Sequence, residues 1–506
     1  MAQALAHRWA GVPGGPIGPA PPSSTRCTAG ALAPQMSGVG GSGTRPSSAR
    51  STPPMLPREA LPSEASASST ASAVPAPRSG EAALAAQMVG LTLHGAGAAA
   101  ALAGAQPGSA AAEPPPDDLH HFHGGVVFRP IVGEFTKIKG LADAIYGKVG
   151  LYRWRLEAAE AADTAPEVLE LLQADPAQGL QVVVKKMENL RVDGCRDSEA
   201  NDWEAHRTGG PRAISEDALN EIGVFQHLSS QPERCPSLLR MLGCFRDSTH
   251  TWLVTEFCSE GELFQVAANG AQLDELFLRP AMWQLLQAVS FLHRRNIGHR
   301  DISLENLLIQ DGRLRLMDFG QAVQLRSVRG DKVLRYFRPC GKQYYRAPEA
   351  YCPRRPLEVL CPVGHVPGTG PVQVVIQGYL CEVIFAPGAV PGASSVAEPA
   401  GYAVAPVDMF ACGVCLFILH TQLPPWGMAL LSDQRFRYVR DHGVEQLLKA
   451  WKRPLLSPPA MELMASLLLA GPENRLPLEQ CLQSAWFADL AADGAGGAIA
   501  AVGAGR

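Results

Sequence analysis

Gly298-His-Arg-Asp-Ile-Ser-Leu-Glu-Asn306, then the apolar run 307–309, then Asp318-Phe-Gly320: the fold turns on this stretch. It sets two carboxylates, Asp301 and Asp318, and one carboxamide, Asn306, on neighbouring loops beside a short strand. Oxygen donors of this kind suit Mg2+, which takes oxygen ligands and keeps phosphate and water as its other partners. That is the chemistry of phosphoryl transfer, where the protein mainly positions groups and neutralises charge.

Working outward, 126–149 is rich in β-branched and aromatic residues broken by glycines and reads as strands and turns. Residues 180–187 and 251–257 read as further strands. Over 218–228, Leu219, Ile222, Phe225 and Leu228 fall at helical spacing. Residues 273–294 read as a long amphipathic helix, and from Phe410 onward the periodic segments are helical. Strands first and helices after imply two lobes, not one layered sheet.

Composition separates this core from its flanks. The 506 residues carry 44 Lys+Arg against 48 Asp+Glu, a net charge of -4, which gives no electrostatic footprint for nucleic acid as the main partner. The 12 cysteines are scattered, as expected of reduced thiols in an intracellular, cytoplasmic protein, with the nucleus also compatible. Residues 1–125 are dominated by Ala, Gly, Pro and Ser, with Trp9 their one aromatic before Phe122, and are expected to be disordered. No charged start followed by an apolar core marks a secretory signal. The apolar run 82–112 is mostly Ala and Gly, broken by Gln87, His94 and Gln106, and its low transfer energy speaks against a membrane span. His120, His121 and His123 are expected in a solvated linker, not a metal site. Residues 488–506 are expected to form a flexible tail.

Three motifs in order identify the core. His299-Arg-Asp301 with Asn306, Asp318-Phe-Gly320 and Ala347-Pro-Glu349 together resemble the eukaryotic protein kinases over roughly 138–487, in a divergent, protist-like serine/threonine form. The resemblance implies an α+β bilobal fold, with a small β-rich first lobe and a larger helical second lobe. It implies ATP and Mg2+ as cofactors and protein substrates as partners. Asp301 would take or orient the proton of the substrate hydroxyl, and Asn306 and Asp318 would hold Mg2+. Lys185, in Val182-Val-Val-Lys185, matches the strand lysine that grips the nucleotide phosphates; Lys186 points to the other face of the strand. Glu221 is its expected partner, with Glu216 as the alternative. Leu253-Val-Thr-Glu-Phe-Cys258 resembles the hinge that meets adenine, making Glu256 and Cys258 nucleotide-binding positions, Thr255 the gatekeeper, and Glu262 a ribose or substrate contact. Asp408 resembles the support of the catalytic loop, and Arg475 the partner of Glu349.

The sequence also departs from the pattern. Gly147 and Gly150 match two glycines of the phosphate-covering loop, but Ile145 stands where another is expected, and Tyr152 replaces a valine. Ser303 stands where serine/threonine kinases carry lysine, so one phosphate-neutralising charge is missing. Lys342 replaces a common threonine and could restore it. Arg300 would be available to a phosphate on the segment 318–349, whose one hydroxyl besides the tyrosines is Ser327; Arg338 stands near the usual acceptor position. Insertions are expected near 156–179, 190–214 and 352–405, the last a docking loop or a product of mistaken coding. These departures keep open a second reading, a pseudokinase acting as a nucleotide-binding scaffold.

Overall fold

The computed structural model describes residues 122–156, 165–175, 177–195, 217–269, 272–327, 329–351, 356–488, 490 and 499. In the first lobe Glu134–Ala144 (β1) and Gly147–Arg155 (β2) form a hairpin. The helix Pro166–Gln173 (α1) follows, then the strand Leu180–Glu188 (β3). Next come the helix Ala218–Ser229 (α2) and the strands Met241–Arg246 (β4) and His250–Glu256 (β5). The five strands pair antiparallel in the order β1-β2-β3-β5-β4.

Strand periodicity divides β3 between two faces. Val182 and Val184 pack with Trp154 and Val254 on the outer face, where α1 lays Val168 and Leu172 over them. Burying each of those two side chains stabilises by about 2 kcal/mol. The insertion near 156–179 thus carries a helix that covers the sheet. On the inner face Val149, Lys185 and Leu253 lie in one cross-strand row.

The second lobe begins with Glu275–Arg294 (α3), whose N-cap Asp274 accepts from the Phe277 N–H at 3.1 Å. Two short antiparallel pairs follow, one nested within the other. Ile297–Gly298 (β6) pairs with Val323–Gln324 (β9), and Leu307–Gln310 (β7) pairs with Arg313–Leu316 (β8). They hold the catalytic-loop stretch and the Asp318 turn side by side.

The insertion expected near 352–405 as a docking loop or a product of mistaken coding is, over residues 356–399, a folded sheet. Leu357–Leu360 (β10), Val372–Ile376 (β11), Tyr379–Phe385 (β12) and Ser394–Pro399 (β13) form an antiparallel sheet in the order β10-β13-β12-β11. It has its own core of Cys361, Val374, Ile376, Cys381, Val383, Phe385 and Ala397. The β11–β12 turn is Gln377-Gly378, both at positive φ, the geometry that joins two strands through two residues. Val404–Thr421 (α4) follows and runs through the centre of the lobe. It is long and apolar enough to cross a membrane, but 89% of it is buried inside the fold, as a core helix is.

The edges of the core also differ from expectation. Disorder was expected to residue 125, yet Phe122 and His123 are buried against α2. A Cβ on Gly223 would lie 2.2 Å from the Phe122 carbonyl oxygen, so glycine is what lets the two backbones meet. His123 is no solvated linker residue: its Nε2 lies 2.9 Å from Asp217 Oδ2. Val127 and the Gln226 amide exchange two hydrogen bonds, at 2.9 and 2.6 Å. In the expected tail, Ile499 is buried and its N–H donates to Gly312 O at 2.8 Å. Residues 1–121, with His120, His121 and the run 82–112, most of the insertion near 190–214, and Glu216 lie outside the described residues.

Candidate active site

The inner face of the first sheet presents Lys185. Its Nζ donates to Glu221 Oε2 at 2.7 Å, with both side chains largely buried. Lys186 takes the outer face and sits 4.4 Å from the Trp252 ring centroid. Burial pushes the Glu221 carboxyl up, Lys185 opposes that, and the charge of Asp318 adds to it. Glu221 is fixed by the start of α2: the N-cap Asp217 accepts from Asn220 N, and the Asn220 amide donates to Phe319 O at 3.0 Å and Ala322 O at 2.8 Å. The helix that carries Glu221 therefore also grips the Asp318 turn. Phe319 is fully buried, edge-on to Phe225 at 5.0 Å.

The catalytic-loop stretch hangs from Asp408, on α4. Its Oδ2 accepts from His299 N at 2.8 Å and its Oδ1 from Arg300 N at 2.8 Å, with His293 Nε2 also 2.9 Å away. His299 Nε2 bonds to Met317 O at 3.0 Å, which leaves Nδ1 to accept from Asp301 N at 3.3 Å. Arg300 and Asp318 hold φ of 64° and 68°, a left-handed conformation costly for residues with a Cβ and sustained by these contacts.

Asp301 and Asn306 come together: the Asn306 amide donates to Asp301 O at 2.8 Å and to Asp301 Oδ2 at 3.1 Å. Lys342 joins them. Its N–H donates to Asp301 Oδ1 at 3.2 Å, while its Nζ donates to Ser303 Oγ at 2.6 Å and Asn306 Oδ1 at 2.9 Å, and lies 3.9 Å from Asp301 Oδ2. An ammonium thus sits on the serine that stands in place of lysine. Burial raises the Asp301 carboxyl, Lys342 holds it down, and Asp318 raises it further. The charge of Asp318 raises both Glu221 and Asp301, a repulsion that a hard cation at Asp318 and Asn306 would relieve, and oxygen donors of this kind are those Mg2+ takes; no group of three or more His, Cys, Asp or Glu gathers to hold a metal among the described residues. Asn306 Oδ1, already facing Lys342, would be shared with that ion.

Glu256 and Cys258 lie where β5 leaves the sheet. The Glu256 carboxylate accepts from Arg240 N at 2.9 Å and Arg315 Nε at 3.3 Å, which fixes that connection from behind. Burial pushes the Cys258 thiol up to about 12, so it stays protonated. A Cβ on Gly147 would lie 2.0 Å from Lys186 O, so this glycine makes room for the neighbouring strand. Gly150 faces Gly140 across the hairpin, a pairing set by the register shifts of β1 and carried by no local sequence signal.

Three further positions matter. Glu349 and Arg475 form a fork at 2.5 and 2.8 Å, both buried, with Arg475 4.8 Å from the Phe410 ring. Arg300 is partly engaged already: its Nε donates to Gln321 O at 2.7 Å and its guanidinium lies 5.2 Å from the Tyr336 ring.

A family model described as protein kinase domain matches residues 181–356. CBL-interacting serine/threonine-protein kinase 26 of Arabidopsis thaliana is 28% identical over 253 residues, 50% of this chain and 45% of its own length. The phosphorylase b kinase gamma catalytic chain, liver/testis isoform, of Mus musculus is 30% identical over 263 residues, 52% of each chain. The chain spans about half the length of the curated relatives it matches.

Proposed function

Since the chain belongs to the eukaryotic protein kinase family, we propose that it transfers the γ-phosphate of ATP to serine or threonine hydroxyls of protein substrates. The observation that carries this reading is the meeting of Asp301, Asn306 and Lys342, with Lys342 Nζ 3.9 Å from the Asp301 carboxylate. The serine/threonine preference draws on the similarity to CBL-interacting serine/threonine-protein kinase 26.

Asp301 receives the hydroxyl proton as the substrate oxygen attacks phosphorus and the bond to ADP breaks. A carboxyl raised by burial is better matched to that proton than a solvated one. Asn306 holds Asp301 in one rotamer. Lys342 supplies positive charge beside the attacking oxygen, in place of a lysine at 303. Lys185, held by Glu221, draws the nucleotide phosphates toward the loop. Mg2+, held by Asp318 with Asn306, supplies charge neutralisation on the phosphates when bound.

A peptide-array phosphorylation assay with Mg·ATP tests the reading. Wild type is expected to label serine- and threonine-containing peptides, and Asp301→Asn to lose the signal. The sharing of Asn306 Oδ1 with Lys342 favours one competing reading, a nucleotide-binding scaffold. Mg·ATP binding with no label on any peptide would select it.

A further inference from the structure

The inserted sheet does not simply hang from the second lobe. Its β12 strand and its returning end meet residues 335–338, which lead directly to Lys342. Arg335 reaches into the insert: Nε donates to Ala400 O at 2.8 Å, a terminal nitrogen donates to Gly401 O at 3.0 Å, and the same nitrogen pairs with Glu382 of β12. Glu382 is largely buried, and its own carbonyl accepts from Ala400 N at 2.9 Å, tying strand and return together. One residue on, Tyr336 and Tyr402 exchange backbone hydrogen bonds at 2.9 and 2.8 Å, and the Tyr402 hydroxyl donates to Arg338 O at 2.5 Å. The approach is close enough to need glycine: Gly401 has φ of +66°, and a Cβ there would lie 2.7 Å from Tyr336 O.

The clamped segment reaches the chemistry through short steps. The Tyr336 ring supports the Arg300 guanidinium, and its hydroxyl donates to Gln324 O at 2.7 Å. Lys342, six residues beyond Tyr336, makes its four contacts to Asp301, Ser303 and Asn306. An arginine fork holding two carbonyls and one carboxylate sets direction as well as distance.

We propose that the inserted sheet is a clamp that fixes the segment delivering Lys342 to Asp301, with Glu382, acting through Arg335, as its positioning residue. The functional part of this inference rests on the phosphotransfer reading above. Glu382 touches no reacting atom; it acts by holding residues 335–342 in place. Without its charge, the guanidinium of Arg335 keeps only neutral carbonyls, and the segment samples positions in which Lys342 is away from Asp301.

The test uses the full chain. Glu382→Gln is expected to lower kcat by about tenfold, with KM for ATP unchanged, because the nucleotide groups on the first lobe are untouched. Hydrogen exchange should rise in peptides covering 335–342 and stay unchanged around Lys185. Glu382→Asp, which keeps the charge, should recover to within threefold of wild type, while Arg335→Gln, which loses the charged fork to both carbonyls and the carboxylate, stays low. A merely structural role would lower the melting temperature without a selective loss in kcat and without rescue. Wild-type kcat and wild-type exchange in Glu382→Gln would overturn the clamp. A wild type that transfers no phosphate would instead remove the phosphotransfer reading, and raised exchange at 335–342 in Glu382→Gln would then still establish the clamp. Should Glu382→Gln not fold, Arg335→Lys, which keeps the charge but loses the planar fork, decides: a lowered kcat with raised exchange at 335–342 supports the clamp, and wild-type values of both overturn it.

Discussion

Replacing Lys342 by methionine removes an ammonium while keeping a side chain of similar length. The Nζ lies 3.9 Å from Asp301 Oδ2, a separation worth about 4 kcal/mol at an effective dielectric of about 20 and about 1 kcal/mol in bulk water. Lys342 is 37% exposed and Asp301 8%, so the pair lies between these limits, near about 2 kcal/mol. That energy is about a 30-fold effect, and loss of a preorganised donor beside developing charge is worth about 10²–10³ in rate. We therefore expect kcat in Lys342→Met to fall about 10². The pH profile gives a second readout. Burial raises the Asp301 carboxyl and Lys342 counters it, so the variant raises it further. A base works only when ionised, so the acid limb of kcat/KM should move to higher pH. The assay is ADP release from Mg·ATP and a phosphorylatable peptide across pH. Adding Ser303→Lys to Lys342→Met should recover at least tenfold, because Ser303 Oγ lies 2.6 Å from the lost Nζ. A variant within twofold of wild type, with its acid limb unmoved, would refute this account of Lys342.

Other substitutions probe the frame. Lys185→Met should lower turnover about 10- to 100-fold, the worth of a charged hydrogen bond of about 1.5–3 kcal/mol, with far-UV circular dichroism unchanged; full activity would separate the Lys185–Glu221 pair from catalysis. Arg475→Ala leaves Glu349 buried without its partner and should cost about 3–5 kcal/mol, lowering the melting temperature by about 10 °C in a thermal scan. Gly223→Ala places a methyl group 2.2 Å from Phe122 O and should release residues 122–129 from α2, read as faster hydrogen exchange there; unchanged exchange would mean that the backbones part without loss.

Much of the site was legible because its chemistry demands particular side chains at short spacing. Asp301, Asn306 and Asp318 fall within one loop–strand–loop stretch, and the alternation of β3 separates Lys185 from Lys186. Lys342 was visible as a charge in place of a threonine, opposite a serine in place of a lysine. Its contact with Asn306 Oδ1 was not, since that depends on rotamers. The inserted sheet had a readable signal, the Gln377-Gly378 turn between β-branched runs, but the abundant Pro and Gly around it suggested a loop. The seat of Phe122 on α2 left no signal beyond one glycine, because the partners of residues 122–127, Asp217, Gly223 and Gln226, lie far along the chain and meet them only in the fold. The surroundings of Arg300 were hidden for another reason: Tyr336 and Tyr402 are distant in sequence and meet only once the insert has folded.

The most direct measurement is transfer of labelled γ-phosphate from Mg·ATP to peptide by purified full-length wild type and Asp301→Asn, with nucleotide binding measured on the same samples. The expected result is labelled product from wild type, a collapse of the rate in Asp301→Asn, and equal nucleotide binding by both proteins. Equal labelling by the two, or nucleotide binding by wild type with no labelled product, would contradict Asp301 as the group that takes the substrate proton.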